Sequence, residues 1–164
     1  EPKLNKSDLY SHAIEHLLPD AYAASIKNAS LRPILHPKIT LKSGNEGEDW
    51  TFVAVTCEAP PVVLPDKLSP LDNLRKTVRI KIPALLVEEE ANRRLSALAD
   101  NLTRLGLTTD SYLQSKKLTL ESLKSQTALS ARTDLETEFI LSQVQIREKL
   151  ADKKSALDFL AKLA

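Results

Sequence analysis

The sequence predicts an α+β chain that is mostly α: an N-terminal helix and a β-hairpin, followed by a hairpin of long helices. Three observations carry this. Apolar residues recur at helical spacing over 6–28 and again from 83 onward. Between those stretches, two short segments alternate as strands do. Five of the nine prolines (Pro60, Pro61, Pro65, Pro70 and Pro83) crowd into one stretch, the composition of a linker or an extended crossing segment. The expected division is a first domain at 1–65, a linker at 66–82 and a helical domain at 83–164.

In the first part, Leu9, Ala13, Leu17, Tyr22 and Ile26 give Lys6 to Asn28 one apolar face, with a break or kink expected at Pro19. Ser7 is the expected N-cap, its hydroxyl accepting from a free amide of the first turn. Lys38–Lys42 alternates, with Ile39 and Leu41 on one side. Ser43–Asp49 turns the chain, and Trp50–Cys57 resumes as a strand through Phe52, Val53 and Val55. Two strands alone are marginal in water, so a further strand or a partner surface is implied.

From Pro83 onward the pattern is helical, Pro83 suiting a first turn because its missing N–H costs no bond there. Glu88, Glu89 and Glu90 place negative charge near that helix start. Ala91, Leu95, Leu98, Leu102 and Leu105 then step by four and three residues, a heptad-like seam that Gly106 ends. A short helix at Asp110–Ser115 turns Tyr112 and Leu113 inward. Thr119 is the expected cap of a helix from Leu120 to about Lys149, with Leu135 and Phe139 on its apolar side and Ile140 and Val144 on a neighbouring stripe. Asp152 is the expected cap of a last helix bearing Leu157, Leu160 and Leu163.

Composition narrows the function. In 164 residues, 42% are hydrophobic and 27% charged, which is the balance of a folded chain. The 23 basic and 22 acidic residues cancel, as 11 and 10 in 1–82 and 12 and 12 in 83–164, arguing against a dedicated binder of nucleic acid, DNA included, or of an anionic membrane. No apolar run reaches the roughly 20 residues of a membrane span. The N-terminus does not read as a signal peptide, and a lone Cys57 fits a reducing compartment, so a cytoplasmic location is expected. Three scattered glycines, Gly44, Gly47 and Gly106, offer no phosphate-cradling loop, and no cofactor is expected. With no methionine even at position 1, the sequence is expected to lack its natural start.

Two stretches resemble one known family. Leu17–Asp66, "LLPDAYAASIKNASLRPILHPKITLKSGNEGEDWTFVAVTCEAPPVVLPD", is similar to the end of the ribosome-binding domain of the trigger factor family. Ile82–Gln114, "IPALLVEEEANRRLSALADNLTRLGLTTDSYLQ", resembles the start of that family's helical chaperone domain, and Leu118–Leu141 follows its next long helix more loosely. The resemblance implies an ATP-independent chaperone, a holdase that binds nascent or unfolded polypeptides and, in the intact protein, the ribosome. The family's ribosome-docking loop, Gly-Phe-Arg then Gly-Lys and Pro, would fall just before Glu1. Its peptidyl-prolyl isomerase domain would sit where only Asp66–Lys81 lies, so a short, isomerase-less and non-enzymatic form is implied.

Client-binding candidates are Leu95, Leu98, Leu102, Leu105, Leu135 and Phe139. The seam has three possible uses: packing against helix 120–149, a homodimer interface, or a client surface. Competing readings are a helical scaffold or assembly factor for one fixed protein partner, and a periplasmic chaperone of related helical architecture. A third is a zinc hydrolase, since His12-Ala-Ile-Glu15-His16 spells H-x-x-E-H. Two His at i and i+4 share a helix face and a carboxylate beside them can activate water, but a third ligand is needed and His36 is the only other histidine. A solvated helix face explains the same residues. Cys57, Trp50 and Phe52 read as packing residues of the strand, and Lys116–Lys117 and Glu88–Glu90 as solvated helix ends.

Overall fold

The computed structural model describes residues 6–45 and 47–163. The chain forms two compact units, Glu1–Ala59 and Pro60–Ala164.

In the first unit, α1 (Lys6–Asn28) runs through Pro19 without interruption. Pro19, on an exposed face, therefore does not break the helix. Ser7 lies inside the helix rather than at its cap, because the helix is already formed at Lys6. Its C-terminus closes with a bond from the Leu31 N–H to the Ile26 carbonyl (3.1 Å), Ser30 turning left-handed at φ 54°. Strands β1 (Lys38–Ser43) and β2 (Thr51–Val55) pair antiparallel, Ile39 opposite Ala54 and Leu41 opposite Phe52, with an irregularity between Leu41 and Ser43. The second strand is shorter than its apolar run suggests. Beyond it Thr56 donates to the Leu35 carbonyl (3.0 Å), and the Arg32 N–H donates to Glu58 Oε1 (2.6 Å). Gly44 sits close under two side chains: an added Cβ would lie 3.1 Å from the Trp50 ring and 3.2 Å from Leu41, so both would have to shift.

The second unit begins with the proline-rich stretch, which is not bare chain. Residues 66–82 carry α2 (Leu71–Thr77) and then an extended run, with Leu74, Val78, Ile80 and Ile82 all buried. Four buried aliphatic side chains in nine residues make this stretch part of a core. Helices α3 (Ala84–Arg104), α4 (Thr109–Lys116), α5 (Leu120–Arg147) and α6 (Lys153–Ala161) follow. Their boundaries have visible causes. Gly106 at φ +69° ends α3. Thr108 and Ser111 form a reciprocal capping box at α4. Thr119 Oγ1 and Asp152 Oδ1 accept the N–H groups of Ser122 (3.1 Å) and Ser155 (2.7 Å) as the caps of α5 and α6. Buried Leu86, Ala91 and Leu102 belong to α3, which packs on α5 with its buried Leu123, Ala131, Leu135, Ile140 and Val144; α6, with buried Ala156 and Leu160, packs on α5 in turn.

Candidate polypeptide-binding surface

The surface is built on α3 and α5, which lie side by side because each presents a leucine-rich stripe to the other. Along α3 the seam is not uniformly covered. Leu102 is 5% exposed, Leu95 and Leu98 are half-buried, and Leu105 is 72% exposed where the helix ends. On α5, Leu135 is 9% exposed and Phe139 half-buried. The six candidates thus divide: Leu102 and Leu135 are floor, sealed by the packing of the two helices. Leu95, Leu98, Phe139 and above all Leu105 keep surface in water.

Beside the seam is an open groove of about 420 Å³, its apolar floor formed by Ile82, Val87, Ala91, Leu95 and Ala128. Glu88 and Asn92 stand along the α3 side, Lys124 and Arg132 along the α5 side. Sequence reasoning missed this groove because its floor mixes alanine with larger residues and begins in a stretch read as linker. Exposed Leu107, Leu120, Leu129 and Ile146 add single apolar side chains elsewhere on the unit.

A charged staple holds the two helices in register. Glu90 accepts from Arg93 (2.8 and 2.9 Å) and from Arg94 (2.7 Å), and Arg94 reaches Asp134 on α5 at 2.7 Å. The hydrogen bond from Arg93, reinforced by Arg94, holds the Glu90 carboxyl below its ordinary range. Glu90 is therefore not the solvated helix-end charge its place in a glutamate triplet suggests; its side chain is 16% exposed. Arg147 of α5 donates to the backbone carbonyls of Pro65 (2.6 Å) and Asp66, fastening the proline-rich stretch to this unit.

The sharper chemical alternatives find less support in the geometry. His12 Nδ1 lies 3.7 Å from Glu15, both side chains well exposed, and no group of three or more metal-ligating side chains is gathered among the described residues. Burial pushes the Cys57 thiol up, away from the thiolate that nucleophilic chemistry needs. Trp50 and Phe52 are half-buried in the first unit, Trp50 stacking at a tilt on Tyr10 with ring centres 5.1 Å apart.

A family model described as bacterial trigger factor protein C-terminus matches residues 67–158, and one described as bacterial trigger factor protein matches residues 1–72. The chain belongs to the trigger factor family. Trigger factor of Streptococcus gordonii is 31% identical over 105 residues, 64% of this chain and 23% of that protein. Trigger factor of Streptococcus suis is 32% identical over 103 residues, and that of Streptococcus pneumoniae 33% over 102 residues. The chain spans about a quarter of the length of these curated relatives, from the 23% coverage. No solved structure matches it. The two-part, mostly helical architecture agrees with the family, and no described helix is long and apolar enough to cross a membrane.

Proposed function

We propose that this trigger factor family member is an ATP-independent chaperone that holds unfolded or nascent polypeptides on the α3–α5 surface. The carrying observation is that Leu95, Leu98 and Leu105 keep surface in water on either side of buried Leu102, beside an apolar-floored groove. Burial against such a surface is non-directional and contributes roughly 25 cal/mol per Å² of apolar area, so clients of many sequences are held weakly and leave without nucleotide. Leu95, Leu98, Leu105 and Phe139 make the contact. Leu102 and Leu135 form its floor.

The test is suppression of aggregation of a chemically unfolded protein in the absence of ATP. Leu98→Asp combined with Leu105→Asp should weaken suppression several-fold while the far-UV spectrum is kept, because Leu105 is 72% exposed and Leu98 keeps part of its surface in water. Equal suppression by the double variant, or a requirement for nucleotide, would sink the reading. A single fixed partner, the scaffold reading, would instead appear as saturable binding of one folded protein.

The resemblance assigns ribosome docking to a Gly-Phe-Arg loop, and residues 1–164 contain no such sequence. We infer that this stretch alone binds ribosomes weakly and has no proline isomerase activity, since the position of the isomerase domain is occupied by α2 and the buried run that follows it. Cosedimentation with purified ribosomes over a salt series and a protease-coupled proline-peptide assay check the two statements. Salt-resistant pelleting, or turnover above background, would refute the corresponding one.

A further inference from the structure

Between α2 and α3, residues 78–83 belong to no helix or paired strand, and Val78 lies in the extended region. Val78, Ile80 and Ile82 are 8%, 8% and 7% exposed, while Arg79 and Lys81 between them are exposed. A burial period of two is that of a strand lying with one face on a core. Pro83 keeps Ile82 extended, since the residue before a proline is pushed out of the helical region. Yet the only described strand pairing is the hairpin of the first unit, and no backbone N–H or C=O of residues 79–82 bonds to another described residue. A strand in this condition is a template for a second extended chain.

Its outward side is basic. Arg75, Lys76, Arg79 and Lys81 are all exposed, and none forms an ion pair with another described residue. The chain-wide charge balance conceals this cluster of four cations in seven residues.

We propose that Arg79–Ile82 is a strand-addition site for an extended polypeptide segment carrying acidic side chains at alternate positions. The incoming backbone bonds the free N–H and C=O groups. Its alternate side chains stand on the same side as Arg79 and Lys81, where carboxylates complement them across the pair. Pro83, lacking an N–H, ends the edge and limits the added strand to about four residues, so binding is weak and rapidly reversible. A nucleic acid would neutralise the cations but leave the backbone groups to water, and for that reason the occupant is a peptide. The site goes beyond the client-holding reading: it meets the groove only at Ile82 and uses none of Leu95, Leu98, Leu105 and Phe139.

The test uses the full chain and a fluorescent seven-residue peptide of alternating Val and Glu, read by anisotropy. The same peptide N-methylated at every residue should bind about tenfold more weakly, since it loses the main-chain donors on both of its edges at unchanged charge. The Val–Lys counterpart should bind more weakly than Val–Glu, and Arg79→Glu with Lys81→Glu should reverse that order. Equal binding of the N-methylated peptide overturns strand addition even if the double variant fails to fold. Tighter binding of an oligoribonucleotide of equal charge overturns the peptide assignment. Loss of aggregation suppression in Leu98→Asp with Leu105→Asp, with Val–Glu binding retained, shows the two surfaces to be separate.

Discussion

The two units put their apolar residues to different use. In Pro60–Ala164 the described core runs from Leu74 to Leu160 and includes side chains with no exposure at all, such as Val144 and Leu160. In the unit ending at Ala59, no side chain whose burial is described is buried. There Leu9, Leu17, Val53 and Val55 are all exposed, and an open cavity of about 320 Å³ is walled by Tyr10, Ile14, Leu17, Leu18, Trp50 and Phe52. Composition does not separate the units; the number of packed layers does. A helix and a two-stranded sheet supply one cover each, and neither closes over the other's edges. The second unit wraps its central helix α5 with α2, α3 and α6, so each apolar stripe meets another. The comparison teaches that cooperative stability resides in the second unit, while the first unit's apolar faces await a cover.

The largest effect should come from matched truncations. Ile140→Ala, at a site 1% exposed, should cost about 2–5 kcal/mol through lost burial and the cavity left behind. Ile39→Ala, at a site 36% exposed, should cost less than about 1 kcal/mol. Urea denaturation followed by far-UV dichroism measures both. Comparable costs would break the comparison.

The single tryptophan sharpens it. Trp50 belongs to the first unit, stacked between Tyr10 and Phe52 at 5.1 and 6.4 Å. Its fluorescence therefore reports that unit alone, whereas most helical residues lie in the second. The Trp50 transition should fall at lower urea than the dichroism transition, by an amount set by the difference in buried area. Coincident transitions would mean the chain unfolds as one cooperative body.

A third change should act on the second unit alone. Thr119→Ala removes the side chain that accepts the Ser122 N–H at the start of α5, and should cost about 1 kcal/mol. The dichroism midpoint should drop while the Trp50 midpoint holds. A matching drop in Trp50 would show coupling between the units.

Local chemistry made much of this architecture legible. Thr119 and Asp152 announced their helices because a hydroxyl or carboxylate before an apolar-periodic run has a free amide within reach. Gly106 announced the end of α3 because few other residues turn left-handed there without strain. The stretch 66–82 was not legible as structure. Proline density dominates its composition, and the alternation of Val78, Ile80 and Ile82 says strand only once a core is known to lie on one side. Pro19 does not break α1, as one lost hydrogen bond is tolerable on an exposed face. The candidate site was legible as a seam, but spacing alone cannot distinguish Leu102 from Leu105. That distinction depends on where α5 ends its contact with α3, a tertiary fact. The staple from Glu90 through Arg94 to Asp134 joins residues 40 positions apart, beyond the reach of any local pattern.

That staple supplies the smallest and most selective prediction. Hydrogen bonds from Arg93 and Arg94 hold the Glu90 carboxyl below its ordinary value of 4.5, so the native chain favours the ionised form more than the unfolded chain does. The stability this adds is fully present above the ordinary carboxylate range. It is lost as pH falls through the lowered native value, where protonation removes the acceptor. Because the pair from Arg94 to Asp134 is partly in water and screened by salt, the contribution should be smaller than that of the Thr119 cap. Glu90→Gln should lower the dichroism midpoint slightly at pH 7 and leave it unchanged below the acid transition, so the variant's acid limb is flatter than that of the parent. The Trp50 transition should show no such difference, since neither Glu90 nor its partners belong to that unit. A variant that loses stability equally at pH 7 and at pH 3 would show that Glu90 acts through packing rather than through its charge.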